Sequence, residues 1–197
     1  MRRRHARETI AREVTRDLGE HGVDTIFDTF VAKGVFSELF GFVLLDPDAL
    51  DARYAEGATG RDLLHEYTTS DEGDRVAADG VAVPMLGLPA DDYTLVVRHA
   101  DAPSALVQVT VESAGWVLSA STRPLCLCGL GYLSEWDADH PRVLRPVVPE
   151  GWYAVTIRGG TDADEHRAIE LVLTPCAERP PYTGNTNEVL ELEPFLG

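Results

Sequence analysis

Basic side chains are scarce in this sequence, which has a single lysine, Lys33, and 17 basic residues against 33 acidic ones. The formal net charge is −16, but six arginines fall in the first sixteen residues, so residues 17–197 carry −20. A field of that sign repels phosphate backbones, which predicts that the main body does not bind nucleic acid directly. The same field attracts a basic protein partner, although acidity can also serve solubility alone.

Cysteine is also rare. The chain has three, Cys126, Cys128 and Cys176, at no spacing typical of a secreted disulfide scaffold. Side chains alternate along a strand, so Cys126 and Cys128 are expected on the same face. A structural zinc site needs four ligands, and the sequence supplies no second cysteine pair. We therefore expect reduced core cysteines and no metal or other cofactor.

Long apolar runs and catalytic signatures are missing as well. The longest apolar run, GFVLL at residues 41–45, is far too short to cross a membrane. The arginines at 2–4 are not followed by the apolar region of an export signal, so we expect a cytoplasmic protein. The sequence has no G-x-S-x-G nucleophile turn and no phosphate-binding loop, and its six histidines are scattered. These absences favour a protein that is not an enzyme.

The N-terminal part of the chain has helical patterns. Apolar residues at every fourth position over residues 5–19 form one narrow stripe, which is typical of a helix. A wider apolar face over 23–33 predicts a second helix, and 59–67 predicts a short third one. The run at 35–46 suits a helix or a strand. We therefore predict a helical N-terminal lobe over residues 1–75.

From about residue 80 onwards, short apolar runs are separated by turn residues. Residues 107–112 alternate apolar and polar side chains, which is typical of an antiparallel sheet with one buried face. Ser113–Gly115 and Pro149–Gly151 have the composition of hairpin turns. The sequence thus predicts a mainly β protein, α+β overall, with an antiparallel β-sandwich of about eight strands over residues 76–197 and an extended C-terminal tail. The eight runs are 80–87, 92–99, 105–112, 115–121, 124–128, 142–148, 152–158 and 168–174.

Four segments also resemble a known family. They are AADGVAV (77–83), YTLVVR (93–98), VQVTVESAGWVLSAS (107–121) and VPEGWYAVTIRGG (148–160). In this order they resemble the β-sandwich of the competence nuclease inhibitor family, small bacterial proteins that bind and block a partner nuclease. The resemblance covers residues 76–174 and implies an inhibitor, immunity or accessory protein. Residues 1–75 have no counterpart in it, and 122–142 form an enlarged insertion.

Two acidic segments are candidate partner-binding sites. In the insertion, Asp137 and Asp139 lie beside Tyr132 and Trp136. Exposed aromatic side chains anchor protein interfaces and acids steer the encounter, so these four residues form a candidate patch. Alternatively, the two aromatic rings cover the open end of the sandwich.

The second acidic segment lies between the last two predicted strands. Its residues Asp162, Asp164 and Glu165 are candidates for contact with a basic partner. Together with His166, the two aspartates are alternatively candidate ligands of a divalent metal, which would make the protein a small metal-dependent hydrolase.

Our leading hypothesis from the sequence is a bacterial, cytoplasmic binding protein of undetermined oligomeric state. It inhibits or neutralises a basic protein partner, such as a nuclease or a toxin, by steric and electrostatic occlusion. The alternatives are the hydrolase and a structural subunit of a larger bacterial assembly, in which the first helix or the tail docks on other chains.

Overall fold

The computed structural model describes residues 26–190, which form a mainly β structure with two sheets. Five strands in the order β1-β4-β8-β7-β5 form the large sheet, and three in the order β3-β2-β6 form the small sheet. The strands are β1 (Phe30–Phe36), β2 (Gly41–Leu45), β3 (Ala82–Leu86), β4 (Asp92–His99), β5 (Leu106–Ala120), β6 (Cys126–Gly129), β7 (Gly151–Asp162) and β8 (Arg167–Cys176). The helices are α1 (Pro47–Asp51), α2 (Leu63–Thr69) and α3 (Glu72–Ala78), with 3₁₀ turns at Glu38–Phe40 and Leu130–Leu133.

Two predicted features lie outside the described residues, namely the helix over residues 5–19 and the tail from residue 191 onwards. Within the described range, no helix is long and apolar enough to span a membrane.

The small sheet is apolar on both faces, because its residues alternate between two hydrophobic clusters. Phe42 and Leu44 of β2 belong to a cluster shared with the large sheet. Val43 and Leu45 of the same strand belong to a second cluster, shared with the three helices. The small sheet therefore lies between the large sheet and the helices. Each fully buried side chain of this size contributes about 1.5–3 kcal/mol to folding.

The hairpin predicted at Ser113–Gly115 is wrong. β5 continues through these residues as one strand, which pairs with β7 both before and after them. The register shifts between Ser113 and Trp116, and Gly115 has a φ of +86°. The residues that suggested a turn therefore form a β-bulge within the strand, and Gly115 adopts the left-handed conformation that the bulge requires.

The strand predicted over residues 142–148 is also missing from the described sheets. Within it, Leu144 forms one isolated bridge with Leu127 of β6. Pro149–Gly151 consequently leads into β7 from a segment without strand structure, and it is not a hairpin turn.

Two strands occur where the helical lobe was predicted. β1 overlaps the helix predicted over 23–33 and pairs with β4, while β2 pairs with β3 and β6. These ladders join residues on both sides of position 75, so the ranges 1–75 and 76–197 share both sheets. The apolar spacing in β1 also fits a bulged strand, because Gly34, at a φ of +66°, shifts the register. Phe30 and Val35 then both pack against the core.

One pairing departs from the fully antiparallel expectation. β4 and β8 run parallel, from Thr94 opposite Ala168 to His99 opposite Leu173. The residues that pair, 94–99 of β4 and 168–173 of β8, are all buried, a pattern typical of parallel neighbours covered on both faces.

A buried ion pair joins these parallel strands. Nε and Nη2 of Arg98 on β4 each lie 3.0 Å from a carboxylate oxygen of Glu170 on β8, and the two side chains are 4% and 0% exposed. Nη1 of Arg98 donates to three carbonyl oxygens of the 99–102 segment. Glu170 accepts from the hydroxyl of Ser104 and the amide of Ala105. The pair thus holds the segment after β4 against the large sheet.

Three connections leave the sheets at the same end. The register pairs the end of β1 with the start of β4, the start of β2 with the end of β3, and the end of β7 with the start of β8. The amide of Ser37 donates to the carbonyl of Asp91 at 2.9 Å, and Asp91 Oδ2 lies 3.5 Å from Nε of Arg167. The β1–β2, β3–β4 and β7–β8 connections therefore meet here, at what we call the loop end.

Candidate functional site

Trp136, expected as a candidate anchor for a partner, is part of the core. It is 1% exposed and belongs to the cluster shared with the helices. Its amide donates to the carbonyl of Arg61 at 2.9 Å, and its carbonyl accepts from the amide of Gly60 at 2.7 Å. The expectation of direct partner contact is therefore corrected, because this side chain fastens the acidic loop to the α1–α2 connection.

The acids around Trp136 are exposed. Glu135, Asp137 and Asp139 face solvent, whereas Trp136 and Ala138 between them are buried. The amide of Asp139 donates to Oδ1 of Asp137 at 2.9 Å, which shapes the loop as an Asx turn. We call these three acids the acidic ridge. Glu135 was missed from the sequence, and the alternation of EWDAD was the signal that could have found it.

Tyr132, the other proposed anchor, is half-buried, and its hydroxyl group forms hydrogen bonds within the protein. Its hydroxyl donates to Oε1 of Glu38 at 3.0 Å and accepts from Nη1 of Arg142 at 3.2 Å. Its ring centroid lies 4.9 Å from that of His140. Tyr132 therefore positions the turn that contains Glu38, and its hydroxyl is not free for a partner.

Asp162 is a buried structural residue of the second acidic segment. It is 5% exposed, and it accepts from Oγ1 of Thr94 at 2.8 Å and from the amides of Asp164 and His166 at 2.9 Å each. Burial alone raises the pKa of this carboxyl group, but these hydrogen bonds outweigh that effect, so the pKa is lowered. Asp162 shapes the loop and is too buried to contact a partner.

Asp164 and Glu165 are the two predicted contact acids of this segment that solvent reaches. Oδ2 of Asp164 lies 2.6 Å from Nζ of Lys33, and both side chains are 59% exposed. That hydrogen bond and the nearby charge raise the pKa of Lys33. Glu165 has no such neighbour among the described ion pairs and adopts a left-handed φ of +63°.

The candidate metal ligands carry suitable oxygen and nitrogen atoms, but the two aspartates among them already have other partners. One ligand atom from each of Asp162, Asp164 and His166 lies within 4.8 Å of the others. The oxygens of Asp162 already accept three hydrogen bonds, and Asp164 pairs with Lys33. The arrangement therefore serves to close the β7–β8 connection.

Basic side chains are neutralised by neighbouring acids. Residues 26–190 contain 26 acidic and 11 basic side chains, a balance of −15. Ten of the basic side chains lie within 3.8 Å of a carboxylate oxygen, and Arg145 is the exception in this range. The acidic surplus faces solvent at the acidic ridge, Asp28, Glu56, Asp92, Glu150, Glu165 and Glu178.

The turn between β1 and β2 exposes three large apolar side chains. Phe36, Leu39 and Phe40 are 53%, 56% and 61% exposed, and we call them the apolar cap. Leu39 and Phe40 have left-handed φ angles of +52° and +60°. Sequence reasoning missed the cap because the run at 35–46 fits an inward-facing stripe, and no residue type there signals a positive φ.

Cys126 and Cys128 share one face of β6, as expected, in the cluster shared with the helices. Burial raises the pKa of Cys126 to about 11 and that of Cys128 to about 12. Since both values exceed the usual 9.0, the stabilisation from these neutral thiols is present below about pH 9 and is lost as the pH rises towards 11–12.

We expect iodoacetamide at about pH 8 to modify Cys176 in the native protein well before Cys126 and Cys128, because the thiolate is the reactive form and Cys176 is partly exposed. Intact-mass measurement should show one modified thiol in buffer and three in urea. Equal native rates at Cys126 and Cys176 would contradict this assignment.

No protein-family model and no curated protein matches the sequence. Among solved structures, the fold is similar to that of ComJ, inhibitor of the DNA degrading activity of NucA, from Bacillus subtilis, with a TM-score of 0.45 and 8% identity over 77% of this chain and 98% of that one. It is also similar to the protein described as crocagin biosynthetic gene J, with a TM-score of 0.46 and 15% identity over 76% of this chain and 99% of that one. The first is a nuclease inhibitor, the class of protein that the sequence motifs resemble.

Proposed function

We propose that this protein is an acidic binding protein that holds a basic protein partner, such as a nuclease or a toxin, and inhibits it by occlusion. One observation carries the proposal: ten of the eleven basic side chains in residues 26–190 are paired internally, so unpaired acids dominate the exposed charge. A negative surface of this kind accelerates encounters with a positive one and discriminates against acidic competitors.

The proposed acidic contacts are the acidic ridge, Asp164 and Glu165. Each is exposed. The loop of the acidic ridge is held by backbone hydrogen bonds to Gly60 and Arg61, and the loop of Asp164 and Glu165 is held by hydrogen bonds from their amides to Asp162. Trp136, Tyr132 and Asp162 are assigned positioning roles behind this surface. The proposal thereby keeps the acidic loops of the sequence hypothesis and replaces its aromatic anchors.

Binding is favoured over metal-dependent hydrolysis by the state of the candidate ligands. Asp162 is committed to shaping its loop, and Asp164 is paired with Lys33. The proposal includes a cytoplasmic location in a bacterium, and three cysteines without a disulfide in the described residues support a reducing compartment.

Reversing three exposed acids, with Asp137→Arg, Asp139→Arg and Glu165→Arg combined, is expected to weaken partner binding at least ~10-fold at low salt. The partner is the basic protein that co-purifies with the full chain from its native cell, identified by mass spectrometry and then purified. Isothermal titration at several salt concentrations is the measurement. The variant should also show a shallower loss of affinity with salt, because fewer favourable charge pairs are left to screen.

The matched control is a second triple variant, with Glu56→Arg, Glu150→Arg and Glu178→Arg. It changes the net charge equally at exposed positions outside both acidic loops. Equal weakening by the two variants would disprove the contact set. Recovery of subunits of a larger assembly, with no basic protein among them, would disprove the function itself.

A further inference from the structure

We infer that the apolar cap, formed by Phe36, Leu39 and Phe40, is the anchor that enters an apolar recess on the basic partner. This inference rests on the proposed function and adds to it the side chains that supply most of the binding energy. The acids would then steer the partner and set the register, while the cap would provide buried area.

The exposure of the cap is concentrated, which distinguishes it from scattered surface residues. Its three side chains are each more than half exposed and lie within five consecutive residues of one tight turn. A single exposed apolar residue, such as Val147 at 67%, needs no explanation. A compact exposed group on one turn, in contrast, is typical of an interaction site, and aromatic side chains are enriched in interface cores.

The strained backbone conformation of the cap is a second, independent indication of an interaction site. Leu39 and Phe40 are consecutive bulky residues in the left-handed region, at φ of +52° and +60°. This conformation costs roughly 1–2 kcal/mol per residue, and an unconstrained exposed turn would leave it. Such strain concentrates at functional sites, where the surrounding structure imposes it.

Several contacts impose this conformation on the turn. The amide of Leu88 donates to the carbonyl of Phe40 at 3.0 Å, and Ser37 is tied to Asp91 before the turn. The carboxylate of Glu38, between them, accepts from the hydroxyl of Tyr132 at 3.0 Å. The turn is therefore held at its start, middle and end. A preformed anchor loses little conformational entropy on binding, which favours affinity.

The charges beside the cap decide what kind of surface it fits. Asp92 lies opposite Phe36 in the β1–β4 ladder, and Asp91 contacts the turn itself. Arg167 and Arg142, the basic side chains that approach these acids and Glu38, are both paired with carboxylates. The three acids Asp91, Asp92 and Glu38 and the two arginines leave the rim with one net negative charge, that of Asp92, which favours a recess edged by lysine or arginine. A second copy of this chain would bring the same negative rim and be repelled.

Site-specific photo-cross-linking in the native cell tests the inference with the full chain. The photoreactive analogue p-benzoylphenylalanine replaces Phe36 or Phe40, Glu165 as a sensor of the acidic loop, or Val147 as a control. Val147 follows Pro146, whose carbonyl accepts from Leu125 just before β6, away from the loop end. We expect one basic protein, identified by mass spectrometry, to cross-link from positions 36, 40 and 165 and not from 147.

The other outcomes distinguish a failure of the anchor from a failure of the proposed function. Cross-linking from position 165 alone would overturn the anchor and leave the proposed function standing. Cross-linking from the cap to an acidic protein or to a second copy of this chain would also overturn the anchor. If none of the loop-end positions captures a basic protein, the anchor and the proposed function both fail.

Affinity measurements with the captured, purified protein provide the second readout. Phe36→Ser and Phe40→Ser should each weaken binding at least ~10-fold, as expected for central interface residues, while Val147→Ser should change it less than ~2-fold. The salt dependence of the cap variants should match that of the unchanged chain, because no charge is lost. Unchanged affinity in Phe36→Ser, whose position on β1 carries no strained backbone, would contradict the inference even if Phe40→Ser disturbs the turn.

Discussion

Replacing Glu170 by alanine is expected to destabilise the protein by about 3–5 kcal/mol, a large share of the roughly 5–15 kcal/mol that stabilises a typical domain. The substitution leaves the guanidinium of Arg98, in a side chain that is 4% exposed, without its carboxylate. It also removes the acceptor for Ser104 and Ala105, so the segment after β4 loses its attachment to the sheet. Urea unfolding at neutral pH, followed by circular dichroism, measures the loss.

Two variants make this prediction specific to a buried charge. Glu112→Ala removes a partly exposed pair, in which the side chains of Arg158 and Glu112 are 34% and 49% exposed, and should cost less than about 1 kcal/mol. The double change Arg98→Met with Glu170→Leu removes both charges and should recover much of the stability lost in Glu170→Ala. A Glu170→Ala loss no larger than that of Glu112→Ala would refute the assigned role.

Replacing Trp136 by alanine should also cost about 3–5 kcal/mol, because a large side chain that is 1% exposed leaves a cavity beneath the helices. The hydrogen bonds that join Trp136 to Gly60 and Arg61 are then no longer held in place. We therefore expect the acidic ridge to loosen and partner affinity to fall together with stability. Thermal unfolding and titration of the same samples give both quantities.

The direction of the two effects distinguishes a core residue from an interface anchor. If Trp136 contacted the partner, the alanine variant would lose affinity at nearly unchanged stability. Trp136→Phe keeps most of the apolar volume, so it should cost clearly less stability than Trp136→Ala and retain the affinity. A stable alanine variant that no longer binds would restore the original anchor hypothesis.

The downstream strands could be predicted because their local patterns agree with their environment. β7 alternates inward and outward side chains and β8 contains a continuous buried run, and the runs predicted at 152–158 and 168–174 lie within these two strands. At Ser113–Gly115 the same reasoning failed, since a glycine with a positive φ serves a bulge as readily as a turn. Only the partner strand, β7, decides between them.

The N-terminal strands could not be predicted because their spacing fits two structures. Phe30, Val31 and Val35 suit the face of a helix, and they suit a strand once Gly34 adds a bulge. Tertiary pairing with β4 settles the choice. The parallel pairing of β4 with β8 was equally out of reach, because it joins residues more than seventy positions apart in sequence.

Composition identifies the acidic segments, but it does not reveal which of their side chains are buried. Trp136 and Asp162 occur among exposed acids in the sequence and are nevertheless buried, one by packing and the other by hydrogen bonds from Thr94 and two amides. The apolar cap shows the converse, since Phe36 and Phe40 look like core residues and face solvent. Exposure at such positions follows from backbone conformation, which side-chain types alone do not encode.

The parallel neighbours have a consequence for how the protein is made on the ribosome. β4 is complete at His99, yet its partner β8 begins only at Arg167, near the end of the chain. While the intervening residues are synthesised, one backbone edge of β4 has no strand to bond with, and partly synthesised chains expose it. Pairings between distant segments form slowly, so the nascent protein is most prone to aggregate in this interval. Brief chaperone protection should therefore raise its yield more than substitutions on the surface of the folded protein.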